Sequence, residues 1–148
     1  MNEALSIREC GGEEAQSLLD LWRRAEATVT YTDTIEDIQR VIGDRAAIVL
    51  VAEADDRLVG SVIGTFDGWR GNLYRLAVHT GYRRQGIARK LVSEVEKRLV
   101  KRGVKRITAL VEKDHPRATG FWDARGYEVD PNMVRYFRNI APSDQVNQ

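Results

Sequence analysis

A chain of 148 residues, 43% hydrophobic and 30% charged, has the length of one domain with a real core and an ordinary soluble globular composition. A net charge of +1 gives no global pull toward nucleic acid or membrane, and the longest apolar run, Ala46 to Ala52, is far too short to span a bilayer. The single cysteine, Cys10, rules out an intrachain disulfide, and a start that carries Glu3 and no long apolar stretch does not read as a signal peptide, so a cytoplasmic location is expected.

In chain order, Leu5 to Cys10 reads as a first strand, broken by Gly11-Gly12. Glu13 and Glu14 suit the first turn of a helix, with Ala15, Leu18, Leu21, Trp22 and Ala25 as its apolar stripe. Thr28 to Thr34 is a polar connector carrying Tyr31, and Asp33 with Glu36 resembles a capping pair. The short helix that follows would bury Ile35, Ile38, Val41 and Ile42. Ala46 to Glu53 is a strand buried on both sides. Asp55-Asp56 turns it into Leu58 to Phe66, whose Gly60 and Gly64 share one face and mark a bulge or close approach of another backbone. Asp67 to Gly71 is a turn, and Asn72 to Val78 is a half-buried strand rich in aromatic and branched residues.

His79 to Gln85 is loop, and from Ile87 the apolar residues Ile87, Ala88, Leu91, Val92, Val95 and Leu99 fall at helical spacing until Gly103. Ile107 to Glu112 is another strand. Pro116 opens a helix with Phe121 and Trp122 on its apolar side, Gly126 ends it, and Val134 to Ile140 reads as a last strand. The unit from Leu73 to Val111 is a parallel crossover inside an otherwise antiparallel sheet. The tail, residues 141–148, is polar.

The chemistry concentrates where loop becomes helix, at Arg83-Arg84-Gln85-Gly86-Ile87-Ala88. The first turn of a helix has unpaired N–H groups and a partial positive charge, and Gly86 and Ala88 leave room for an anion to reach them. Arg83, Arg84 and Arg89 add full charges, and residues 83–106 hold ten Lys or Arg against two Glu. That is a sufficient seat for a pyrophosphate. A solvated helix start that merely carries arginines is the bland alternative, and a nucleic-acid patch over residues 83–106 is another. The alternation of these cations with a core stripe argues against the patch.

Element order, the Arg83-x-x-Gly86-x-Ala88 junction and Phe121-Trp122-x-x-x-Gly126-Tyr127 together resemble the GNAT superfamily of acetyl-CoA-dependent N-acetyltransferases, over about residues 5–140. Gly64-Thr65-Phe66-Asp67-Gly68-Trp69-Arg70-Gly71 is similar to a stretch in small bacterial members whose substrates are mostly unassigned. The resemblance implies an α/β (α+β) fold: a mixed, mainly antiparallel central sheet of about six to seven strands, about four flanking helices, and central strands that splay apart to admit the cofactor. It implies one domain over residues 1–140.

For the site, the resemblance implies that Leu76, Ala77 and Val78 pair through their backbone with the pantetheine arm of acetyl-CoA. Arg83, Arg84, Gln85, Gly86, Ile87, Ala88 and Arg89 hold the pyrophosphate, and a backbone N–H near Val78 polarises the thioester carbonyl. His115, where an Asn often stands, and Phe121 join the cofactor set. No metal is implied. The expected reaction is direct attack of a primary amine, on a small molecule or a protein, in a ternary complex; pairing of final strands would make a homodimer.

The sequence departs from the family at the proton-transfer positions. Trp122 stands where many members have a Tyr acid, and Asn72 and Leu110 stand where carboxylate bases occur. Tyr74 is the replacement candidate, on the argument that strand parity puts it on the face of Asn72 and Leu76. His115, Glu112 and Asp67 are further candidate bases. Tyr31, Asp67 and Trp69 are candidates for the acceptor pocket. A CoA-binding module with little transfer activity is the second reading, motivated by the missing acid and base.

Overall fold

The structure, a computed structural model, describes residues 4–113 and 117–142. The chain falls into two compact units, residues 1–111 and 112–148. The first holds β1 (Ser6–Glu9), α1 (Ala15–Arg24), α2 (Ile35–Ile42), β2 (Ala47–Ala54), β3 (Arg57–Phe66), β4 (Gly71–Val78), α3 (Ile87–Lys101) and β5 (Ile107–Ala109). These strands form one sheet in the order β1-β2-β3-β4-β5, antiparallel except for the parallel pair β4–β5. The mixed sheet and the crossover through α3 are those read from the sequence.

β2 is apolar from Ala47 to Ala52 because that stretch is covered on both faces. Val49 and Val51 join the core beneath α1 and α2, with Leu18, Leu21, Trp22 and Ile38. On the other face α3 buries Ile87, Leu91, Val92, Val95 and Leu99. Gly60 and Gly64 make that packing close. A Cβ on Gly60 would lie 2.8 Å from the Ile87 side chain, and one on Gly64 2.6 Å from that of Val95. What closes on these glycines is side chains of helix α3 rather than the backbone expected, and register shifts flank Gly60.

Several expectations need correction. Among the described residues the sheet has five strands rather than six or seven. Ile107–Glu112 shortens to Ile107–Ala109. The second unit holds α4 (Ala118–Ala124), ended by Gly126 in a left-handed conformation (φ +88°). Residues 134–140 form no strand there, and Val134 and Tyr136 are 79% and 93% exposed. A branched, aromatic run supplies strand propensity but not the partner backbone a strand requires. Glu13 and Glu14 form a 3₁₀ turn ahead of α1. The cap of α2 is Thr34, whose hydroxyl accepts from the Asp37 N–H at 3.1 Å; Asp33 is engaged elsewhere. Pro116, His115 and most of the polar tail lie outside the described residues.

β4 carries a bulge. Its register with β3 slips between Ser61 and Ile63, so that Ile63 pairs with Tyr74 but Ser61 pairs with Ala77. Arg75 takes up the extra residue at φ +53°. The bulge resets strand parity. Tyr74 and Ala77 both belong to the α1–α2 face, whereas Val78, paired with Gly60, belongs to the α3 face. Tyr74 keeps the expected parity with Asn72, since their register with Ile63 and Thr65 is regular, but the bulge separates it from Leu76.

Candidate functional site

β5 pairs with β4 only at Gly71, Asn72 and Leu73, and a last bond runs from the Leu110 N–H to the Leu73 carbonyl. β4 continues to Val78 beyond the end of β5. The His79 N–H donates to the Val59 carbonyl at 2.8 Å, so Ala77 also turns its backbone groups to β3 and Val78 turns its own to the opposite edge. Tyr74 to Val78, with Leu76, Ala77 and Val78 at its end, is thus the stretch of β4 that β5 leaves unpaired.

The chain then makes a 3₁₀ turn, Thr80–Tyr82, fastened on several sides. The His79 Nδ1 accepts from the Gly81 N–H at 3.0 Å, and the His79 and Tyr82 rings meet edge to face. The Tyr82 hydroxyl donates to the Asp55 carboxylate, and that bond with burial pushes the phenol above its ordinary value. Partial burial, then the cations Arg57, Arg24 and Arg83, hold the His79 imidazole below its ordinary value. His79 is therefore neutral at pH 7, and because Nδ1 accepts, Nε2 carries the proton and cannot serve as a base.

Arg84 and Gly86 both adopt left-handed backbone, φ +67° and +78°. Gly86 is the N-cap of α3, and having no side chain it caps nothing. The first intrahelical bond runs from the Lys90 N–H to the Gly86 carbonyl, so the amides of Ile87, Ala88 and Arg89 have no partner in the helix. No acidic residue lies in this first turn. Arg84, Gln85 and Arg89 are exposed beside it. Helix α2, by contrast, is capped by Thr34 and carries Glu36 and Asp37 in its first turn.

Two residues of the expected anion seat are committed elsewhere. The Arg83 guanidinium donates to the Ala25 carbonyl at the end of α1, at 3.1 Å. Ile87 buries its side chain against β3, leaving only its backbone for a ligand.

Other site candidates disperse. Asp67 and Trp69 lie in the turn that begins β4, about 23 Å of strand from Val78. The Asp67 carboxylate accepts from the Arg70 and Trp69 N–H groups, which hold it below its ordinary value. The Trp69 ring, 68% exposed, is covered by the Arg70 guanidinium at 3.8 Å. Both residues are thus occupied in shaping their own turn. Tyr31 is half exposed in the loop between α1 and α2, and Tyr74 packs half-buried against the core on that same face. Phe121 belongs to the second unit, edge-on to Trp122, which in turn meets Tyr127. His115 lies outside the described residues.

Sequence reasoning missed a polar cluster at the bulge. Asp33, from the α1–α2 loop, pairs with the Arg75 guanidinium and also accepts from the Thr30 N–H at 2.7 Å. The same guanidinium lies 5.0 Å from the centre of the Trp22 ring. The Trp22 indole N–H donates to the Ser61 hydroxyl at 3.0 Å, and that hydroxyl donates to the Arg75 carbonyl at 2.9 Å. The one available signal was Ser61 itself, a hydroxyl inside the apolar run Leu58-Val59-Gly60-Ser61-Val62-Ile63.

No helix among the described residues is long and apolar enough to cross a membrane. The acetyltransferase (GNAT) family model matches residues 15–127. An acetyltransferase of Pectobacterium atrosepticum is 35% identical over 125 residues, which is 84% of this chain and 89% of that protein. Among solved structures, the aminoglycoside N-acetyltransferase AAC(6')-Iy in complex with CoA superposes with TM-score 0.78 at 14% identity, covering 95% of this chain and 98% of that one. The PaiA N-acetyltransferase of Thermoplasma acidophilum, in complex with coenzyme A, gives 0.77 at 19% identity over 86% and 91%. With a family model spanning most of its length and a relative 35% identical over 84% of it, this chain belongs to the acetyltransferase (GNAT) family.

Proposed function

We propose that this chain transfers the acetyl group of acetyl-CoA to a primary amine by direct attack. The observation that carries the reading is the uncapped start of α3. Open amides at Ile87, Ala88 and Arg89, a glycine cap, no acid in the first turn and exposed guanidinium groups at Arg84 and Arg89 form a seat for a diphosphate. The uncovered stretch Leu76–Val78 starts just upstream and can accept an extended arm as an added strand. Acetyl-CoA supplies the activated acyl group. The chain's own residues hold its two ends, exclude water, and present β4 amides to the thioester oxygen.

The acceptor amine carries a proton at neutral pH and must lose it before attack. Tyr74 is the group we assign to proton transfer, on the face that carries Tyr31 and its loop. His115 and Phe121 complete the proposed cofactor set, and residues 1–140 act as one domain, a reading supported by a family match that runs across both compact units. Two structural neighbours are named as aminoglycoside acetyltransferases, which puts polyamine-like sugars on the list of acceptors to test.

Calorimetry with acetyl-CoA tests the seat. Arg89→Glu is expected to weaken binding at least tenfold while leaving the melting temperature within a few degrees, because the side chain is exposed. Unchanged affinity sinks the assignment. Thiol release from acetyl-CoA, screened over polyamines, amino acids, aminoglycosides and peptides, identifies the acceptor. The second reading, a CoA-binding module, is favoured by Trp122, Asn72 and Leu110 at the usual acid and base positions, and tight binding with no turnover across that screen would establish it.

A further inference from the structure

The bulge in β4 creates a specific structural need. The extra residue, Arg75, sits at φ +53° and has no partner of its own in the β3–β4 register. A buried carbonyl without a partner costs on the order of one lost hydrogen bond. The Ser61 hydroxyl supplies that partner at 2.9 Å. Ser61 is 0% exposed, the one polar side chain among the described residues in the buried class, and its oxygen is fixed in turn by the Trp22 indole N–H at 3.0 Å. Apart from the Asp33–Arg75 pair beside it, apolar residues fill this face, so the hydroxyl has a definite task.

That task reaches beyond stability. In a trans peptide the carbonyl and the next N–H point in opposite directions. The Ser61 hydroxyl lies on the α1–α2 face, so holding the Arg75 carbonyl there aims the Leu76 N–H away from that face, in a stretch of β4 that β5 does not pair. We infer that Ser61, steadied by Trp22, is a positioning residue for acyl transfer: it fixes the Arg75–Leu76 peptide so that the Leu76 amide faces the thioester oxygen. Ser61 touches no ligand. It acts through one peptide plane. The side chain of Arg75, held by Asp33 and the Trp22 face, restrains the same residue from its other end.

This inference rests on the proposed use of the Leu76–Val78 edge, and its test separates the two. Isotope-edited infrared spectra of bound acetyl-CoA report polarisation of the thioester carbonyl, and calorimetry reports binding. The wild type is expected to bind acetyl-CoA and to lower the carbonyl stretching frequency. Ser61→Ala is expected to bind within about threefold of wild type, to lose most of that frequency shift, and to lose roughly tenfold in kcat, a fraction of what removal of an oxyanion donor outright costs. A second pair covers the case in which Ser61→Ala fails to fold. Arg75→Gly accepts φ +53° without strain and should keep the shift, whereas Arg75→Val opposes that conformation and should lose it. A wild-type carbonyl frequency in Ser61→Ala, or equal spectra for the two Arg75 variants, overturns the role of Ser61 and leaves the functional reading standing. No acetyl-CoA binding by the wild type overturns both.

Discussion

At the scale of single residues, most of the polar side chains around the site already have work to do within the fold. Arg83 closes the end of α1, Tyr82 holds Asp55, and Asp67 shapes its own turn. What remains for chemistry is small: three open amides, two exposed arginines, and Tyr74. The last gives a clear expectation. Tyr74→Phe removes one hydroxyl from a half-buried side chain, so kcat should fall tenfold or more while acetyl-CoA affinity changes less than about twofold, as read from steady-state kinetics beside calorimetry. An unaltered kcat removes Tyr74 from the mechanism. The glycine cap and the arginines were legible in the sequence because they are neighbours along the chain. The Asp33–Arg75 and Ser61–Arg75 contacts were not, because they join residues 42 and 14 positions apart and depend on how the strands register.

At the scale of elements, α3 and β3 are fitted to one another through missing side chains. Gly64→Ala forces a methyl to within 2.6 Å of Val95, which must shift or strain. Overpacking of this kind costs about 1–3 kcal/mol. The expected outcome is a lower urea midpoint with an unchanged slope; a variant as stable as wild type would show that α3 can lift off the strand freely. Both elements were readable from apolar spacing alone, β3 as a strand and α3 as a helix, because each buries a continuous face. The bulge in β4 was not readable, since Leu73-Tyr74-Arg75-Leu76-Ala77-Val78 alternates as well without it. Residues 134–140 fail in the opposite sense: their pattern asks for a strand, and among the described residues no ladder includes them.

At the scale of the whole molecule, the balance of 23 Lys and Arg against 22 Asp and Glu makes acid the natural stress, because protonated carboxylates leave the cations to repel one another. Arg8 is the staple most exposed to it, donating to Glu14 through both terminal nitrogens at 2.8 Å and to Glu53 at 3.1 Å. Its hydrogen bonds to Glu14, aided by the Gly11 N–H, hold that carboxyl below its ordinary value near 4.5. A carboxyl depressed in the folded state stabilises fully above its ordinary pKa and loses that contribution as pH falls through the folded one. Glu14→Gln should therefore be less stable than wild type at pH 7, with the gap in urea midpoints closing below about pH 4. A gap that persists unchanged at pH 2 would show that charge is not its origin. The glycines under α3 also have a consequence at this scale. Ile87 and Val95 rest on bare main chain, so the helix has no room to slide or roll along β3. The span from Gly86 to the exposed rim of β4 is thereby a constant of the molecule, a built-in ruler. In the reaction proposed above, an acyl carrier is measured against it by length, and one too short leaves an end unheld, so that the floor of the sheet would sort donors before the acceptor arrives.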